Sequence, residues 1–539
     1  MFIFRWLRIL GSLFFIMPSM AFSEDLSGTA RTSQLTEATV GLENFPDSLD
    51  PRSISFSPLE QSLEHLLFLP LFSASPNGLP QQVLAESYRF ENPLRLNIKV
   101  RSGIRFANGR EIDAEDIVAT YRKIVGDSLT GRESPRKGML SNIASIRSVS
   151  RRTVHIDLKA PDASILSQLS VGIVPREVVL QSDSPDAAKT SLLGLGAESG
   201  PFILSEFGRR EITLARNKRY TGAPYGGSLP TLAKVRLRLF GSRQAIYDAL
   251  IAGEVNIVQN SLDYFQVSKL KSKHSVRFQV QQVVANETWY LAFNFRKKIL
   301  ADLRVRRAIA LAIDRKEILN FSLAGAGTPA KSIFPPRNYF YPESLASISP
   351  STREARLLLD AAGAIALKSS ATDSDDKATP RHFTIGVPLE KGRVAIAKAI
   401  AGQLKLVGLN VGVEVSEYPE FVRKVRAGEL DAWIAPWAGF RDGDFLRFAL
   451  HSKSRPPTGA NSGHYSNKEL DKTLDKALQT SSQSRRKELY NHAQLIVSKS
   501  FPYVFLWHGW NFAVIDRSFR GFEVFPDGRL TSLSSVRAR

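Results

Sequence analysis

Two stretches of this 539-residue chain concentrate the side chains that chemistry would use. Asp431 to Leu450 reads DAWIAPWAGFRDGDFLRFAL, which sets Trp433, Trp437 and Phe440 beside Arg441, Asp442 and Asp444. Phe501 to Asn511 reads FPYVFLWHGWN. On a strand, Trp507 and Gly509 face one way, and His508 and Trp510 the other. Flat apolar rings with a few charges among them make walls that hold a molecule. They do not make a nucleophile with its base.

The motifs elsewhere exclude most reaction chemistry. The chain has no cysteine, hence no disulfide, thiol nucleophile or thiolate metal site. Gly325 to Ser332, GAGTPAKS, approaches a phosphate loop. Ala330 stands where the second glycine belongs, and the segment follows a helical pattern where a strand is needed. No G-x-S-x-G, H-E-x-x-H or EF-hand loop occurs. The eight histidines are scattered, none at i, i+4 spacing; His451, His464 and His508 could converge only through the fold. No catalytic residue, no metal ligand and no cofactor is expected.

The elements that must position these stretches show in the periodicity. Trp289 to Phe293 is a strand-like apolar run. Asp302 is placed to cap a helix, and Val305, Ala308, Ile309, Ala312, Ile313 and Lys316 recur at helical spacing, which predicts about four turns. Leu94 to Val100 alternates as a half-buried strand, Asn108-Gly109 marks a hairpin-type turn, and Asp113 opens a helix. Phe383–Val387, a helix over 392–407 and Val411–Val415 give the strand–helix–strand order of an α/β lobe. Residues 364–381 are small and polar and read as a surface insertion.

Residue order carries the reading further. F-N at the end of the first strand, then D-x-R-V-R-x-A-I-A-x-A-I-D-R, then G-x-G-x-P-A, resembles the solute-binding proteins of peptide- and nickel-type ABC importers, the extracytoplasmic solute-binding protein family 5. Similar signatures recur: S-L-D-P at 48–51, G-I-R-F-x-N-G before Asp113, S-G-P-F at 199–202, R-N-x-x-Y at 216–220 and Y-S-N-x-E-L-D at 465–471. The resemblance implies an α/β, two-lobed periplasmic-binding-protein fold (type II, large peptide-binder subclass) with an extra subdomain in the first lobe. The implied divisions are a first lobe at 24–55, 172–282 and 505–539, its subdomain at 56–171, and a second lobe at 283–504. Hinge crossings fall near 280–288 and 500–510, with the ligand between the lobes.

In the family's peptide binders, the first Asp of a W-x-A-D-Y-x-D-P-x-x-F-L segment pairs with the peptide's amino terminus. Register puts Gly439 at that position, Phe440 at the Tyr, Asp442 at the second Asp and Gly443 at the Pro. The amine-pairing carboxylate is missing, with Asp442 or Asp444 as substitutes if the loop shifts. Arg441 suits an acidic group on the ligand. The expected ligand-binding residues are Trp437, Phe440, Arg441, Asp442, Trp507 and His508. Asn286, Trp289 and Asn294 are secondary candidates.

Residues 1–23 read as a cleavable signal peptide: Arg5 and Arg8, then the apolar Ile9–Met17, then Ala21-Phe22-Ser23 before Glu24. The mature chain is expected in the periplasm, as a monomer. The net charge of +20, or +18 once Arg5 and Arg8 leave, suits anionic partners. Nucleic acid is excluded as a partner by export and by the lack of a binding motif. The expected function is delivery of an oligopeptide or peptide-like solute to an ABC permease in the inner membrane, without catalysis. Rival readings are a metal-chelate or sugar binder of the same family, an exported cell-wall peptide hydrolase, and an envelope interaction protein.

Overall fold

The computed structural model describes residues 36–539 except 55–56, 127–132, 182–193, 223–228, 364–381 and 441. The expected signal peptide, the insertion at 364–381 and Arg441 lie outside the described residues.

Two long strands form the spine of an 11-stranded sheet. The crossing strand, Phe278–Phe293, and the return strand, Tyr503–Asp516, run antiparallel to each other. Beyond the return strand lie Ile257–Gln259, Glu37–Leu42, Lys234–Leu239, Glu211–Arg216 and Phe202–Phe207 in that order. Beyond the crossing strand lie Ala432–Ala438, His382–Pro388 and Asn410–Ser416. Between Val284 and Thr288 the register of the spine breaks. Before the break the crossing strand pairs with 510–516, and after it with 503–508. Each half of the sheet belongs to one lobe, and only the spine is common to both.

Each lobe buries its own core. In the first, Val40, Leu237 and Phe202 pack with Leu63 and Leu66 of the Pro58–Leu67 helix. A separate four-stranded antiparallel sheet (Ala85–Asn92, Arg95–Val100, Thr153–Leu158, Ile143–Ser150) holds a further core with the Ala114–Val125 helix. Asp113 caps that helix, accepting from Glu115 N and Asp116 N, while Asp116 reaches back to Asp113 N. In the second lobe, His382–Pro388 and Asn410–Ser416 are parallel, joined by the Lys391–Leu406 helix. Gly408, at φ +95°, lets the chain leave that helix in a left-handed conformation.

One expectation is corrected. The four-turn helix predicted from Val305 to Lys316 is two helices, Leu303–Ala312 and Arg315–Leu323. Ile313 is extended, and the Asp314 carboxylate accepts from Lys316 N and Glu317 N, so it caps a new helix instead of continuing the old one. Two of the basic residues of this region are structural. Arg306 donates to the carbonyls of Leu300, Ala301, Ser500 and Phe501, and Arg315 to Phe505 O. Burial pulls both guanidinium groups down to about 10.

Candidate ligand-binding cleft

A concavity of about 820 Å³, open to solvent, lies where the two lobes face each other. The first lobe contributes Pro58, Gln61 and His65 of one helix and the 74–78 turn. Its C-terminal loop adds Pro526, Asp527 and Arg529. The second lobe contributes Pro335, Arg337, Asn338 and Gly439. Asn286, inside the register break of the spine, joins the two sides. Its backbone N–H donates to Pro526 O and its side-chain amide to Phe440 O, both at 2.5 Å. Across the mouth, Tyr339 N donates to Asn77 O at 2.9 Å. The lobes also touch away from the cleft, where Ala163 N donates to Leu478 O at 2.9 Å.

Gly439 lines the cleft. Its φ is +72°, and a Cβ built there meets nothing within 4 Å. Asn286, a secondary candidate, lines it too. The described members of the expected ligand-binding set do not. Trp437 is half-buried against Tyr290, rings 5.2 Å apart and nearly parallel, with Phe445 edge-on. Phe440 is buried between Phe334 and Phe445. Asp442 is buried in an ion pair with Arg486, Nη2 to Oδ1 at 2.5 Å and Nη1 to Oδ2 at 3.1 Å. Asp444 does not line this cleft either: it sits 3.3 Å from Arg447 Nε, and burial first, then the nearby Asp442 and Asp162, push its carboxyl up to about 8.

Trp507 and His508 lie inside the sheet. Trp507 is 1% exposed, stacked on Trp289 at 6.0 Å and packed with Ile309 and Ile396. A strand in mid-sheet with chain layered on both faces buries both sets of its side chains, so the alternation selects no cleft-facing side. His508 Nδ1 lies 2.9 Å from Thr288 Oγ1, whose proton goes to Ile333 O at 2.6 Å. Nδ1–H is therefore the donor, and Nε2 is buried with no hydrogen-bond partner among the described residues. Burial holds this imidazole down at about 4. Asn294 is also buried, donating to Gly428 O and Leu430 O.

What sequence reasoning missed is Arg337, Asn338, His65 and the 526–529 loop. Arg337 follows the stiff Pro335-Pro336 pair, and nothing in its local pattern separates it from an ordinary surface arginine. Among the described residues, no group of three or more His, Cys, Asp or Glu is placed to hold a metal ion.

A family model for the middle part of the bacterial extracellular solute-binding proteins, family 5, matches residues 80–455. A probable di/tripeptide-binding protein 5 of Pseudomonas aeruginosa is 25% identical over 474 residues, 85% of this chain and 84% of that one. Among solved structures, HbpA2 of Haemophilus parasuis superposes with a TM-score of 0.79 at 18% identity, over 93% of this chain and 100% of that one. The oligopeptide-binding protein AppA of Bacillus subtilis, in complex with a nonapeptide, superposes at 0.70 and 22% identity, over 93% and 99%. The cleft described above thus sits in a two-lobed binding-protein fold, and the chain belongs to the bacterial extracellular solute-binding proteins of family 5.

Proposed function

We propose that the protein is the periplasmic receptor of an ABC importer, that it takes a peptide or peptide-like solute between its lobes, and that it passes the solute unchanged to the membrane permease. One observation carries this reading. The cleft is walled by both lobes, and two strands, with their register broken at 284–288, carry the chain between them. A ligand shifts such a clamp only by binding the closed form better than the open one, which requires contacts from both sides at once. Pro58, His65 and Arg529 on one side and Arg337, Asn338 and Gly439 on the other meet that requirement. A relative named for di- and tripeptides and a neighbour in fold solved with a nonapeptide support the solute class. We place the hinge at 284–288 and 508–511, with the leader removed after Ser23. Among the described residues no helix is long and apolar enough to cross a membrane.

Small-angle scattering and calorimetry across a panel of di- to nonapeptides test the proposal. A saturable compaction with a fitted Kd for some peptide is the expected result. Unchanged scattering with every peptide, together with release of cleaved product, would show a hydrolase instead.

A further inference from the structure

We infer that the solute is anionic and carries no free amino group where it meets the cleft, and that Arg337 holds its acidic group. This rests on the functional reading above and narrows its solute class. Among the described residues, the cleft's charged side chains are two arginines and one aspartate. Asp527 is spent on Arg529, Oδ1 to Nε at 3.4 Å. Arg529 is held further by Ala74 O, to which it donates, and by the Phe525 ring 4.4 Å beneath its guanidinium. Arg337 is exposed and forms no hydrogen bond, ion pair or ring contact with any described residue. Among the described residues, the cleft therefore keeps one uncompensated cation and no uncompensated acid.

Two of its neutral side chains point the same way. Asn77 Oδ1 accepts from Ser75 Oγ and Leu79 N, and Asn338 Oδ1 accepts from Phe340 N. Both side chains thus turn their amide N–H groups to whatever else comes near. The carbonyls of Ala74, Ser75, Asn77, Pro335 and Pro526 each already accept a hydrogen bond from the protein. An ammonium group entering here would lose its water and meet donors and a guanidinium, with the Asn286 Oδ1 as a neutral acceptor and no carboxylate to offset its desolvation. A carboxylate meets a planar five-donor fork and two amides.

Calorimetry on the mature protein tests this with four probes: N-acetyl-Glu-Ala, the neutral N-acetyl-Gln-Ala-amide, the free-amine Lys-Ala, and glutarate, a diacid without a peptide bond. The inference expects N-acetyl-Glu-Ala to bind about tenfold or more tighter than the neutral and amine-bearing peptides, and to weaken with added salt. Arg337→Gln should cost about tenfold or more of that affinity, while Arg337→Lys should keep part of it. The melting temperature of both variants should match the parent, since the side chain holds no described residue. Equal binding of the three peptides, or an unchanged Kd in Arg337→Gln, overturns the inference and leaves the peptide receptor standing. Binding of glutarate with neglect of every peptide keeps the anionic cleft and removes the peptide reading. No binding by any probe, with no compaction, removes both.

Discussion

Replacing Gly439 with aspartate puts a carboxylate on the second-lobe wall at the position that, in the resembling peptide binders, pairs with the peptide's amino terminus. The wall has room for it, because a Cβ there has no neighbour within 4 Å. The backbone conformation is the cost. At φ +72° an L-residue loses about 1–2 kcal/mol relative to glycine, least for Asp and Asn. That strain exists with or without ligand, so it lowers stability and cancels from affinity ratios. A charge-assisted hydrogen bond to an ammonium contributes about 1.5–3 kcal/mol. The same carboxylate repels an acidic ligand and competes for Arg337. A gain of about 1.5 kcal/mol on one side and a similar loss on the other shift the preference for free-amine over N-blocked acidic peptides by about a hundredfold. Calorimetry with Lys-Ala and N-acetyl-Glu-Ala against Gly439→Asp and Gly439→Asn measures it. The asparagine variant makes the same backbone demand without the charge. Equal ratios in the two variants would mean that Gly439 does not face the charged part of the solute, and the placement of the cleft would fail.

Four further outcomes follow from buried groups. Asp442→Ala leaves Arg486 charged and unpaired inside the second lobe and should destabilise it by about 3–5 kcal/mol, read from the denaturant midpoint. Trp507→Ala removes a ring that is 1% exposed and should likewise cost about 3–5 kcal/mol, the signature of a core residue. His508 is held at about 4 against an ordinary 6.5, so the fold favours its neutral form: the full benefit is present above pH 6.5 and falls away toward pH 4, roughly 3 kcal/mol in all. His508→Gln should flatten urea midpoints across that window. Asp444 runs the other way: its raised value means the neutral acid is favoured, with stability present below about pH 4 and lost as pH rises through about 8. Asp444→Asn should therefore be more stable than the parent at pH 9, and equal stability there would remove the group's buried charge from the account.

The lobes were legible because their signals are local. Asp113 and Asp302 announce their caps, and the strand–helix–strand run from His382 to Ser416 follows from alternation, a 3.6-residue period and Gly408. The length of the crossing strand was not legible. Its first half, at Gln279–Gln282, is polar and only partly buried, so pattern alone found the apolar end at Trp289–Phe293. The break at Asp314 was hidden for a related reason: a helical period continues through it, and only the cap chemistry of one carboxylate decides.

The cleft was the least legible part, and the reason is physical. Tryptophan and histidine stand out in a sequence, but their large apolar surfaces gain most by burial, and in this chain Trp507, Trp289 and His508 are used to bind the spine of the sheet together. Residues that meet a solute must instead remain unsatisfied within the protein. Arg306, Arg315 and Arg486 look no different from Arg337 in the sequence, yet the first three spend their donors on carbonyls and on Asp442. Arg337 spends none. Which arginine is left over is decided by partners from 194 positions away in one case and 44 in another. A binding group is thus defined by the hydrogen bonds the fold withholds from it, and that can be read only after every other donor has been assigned.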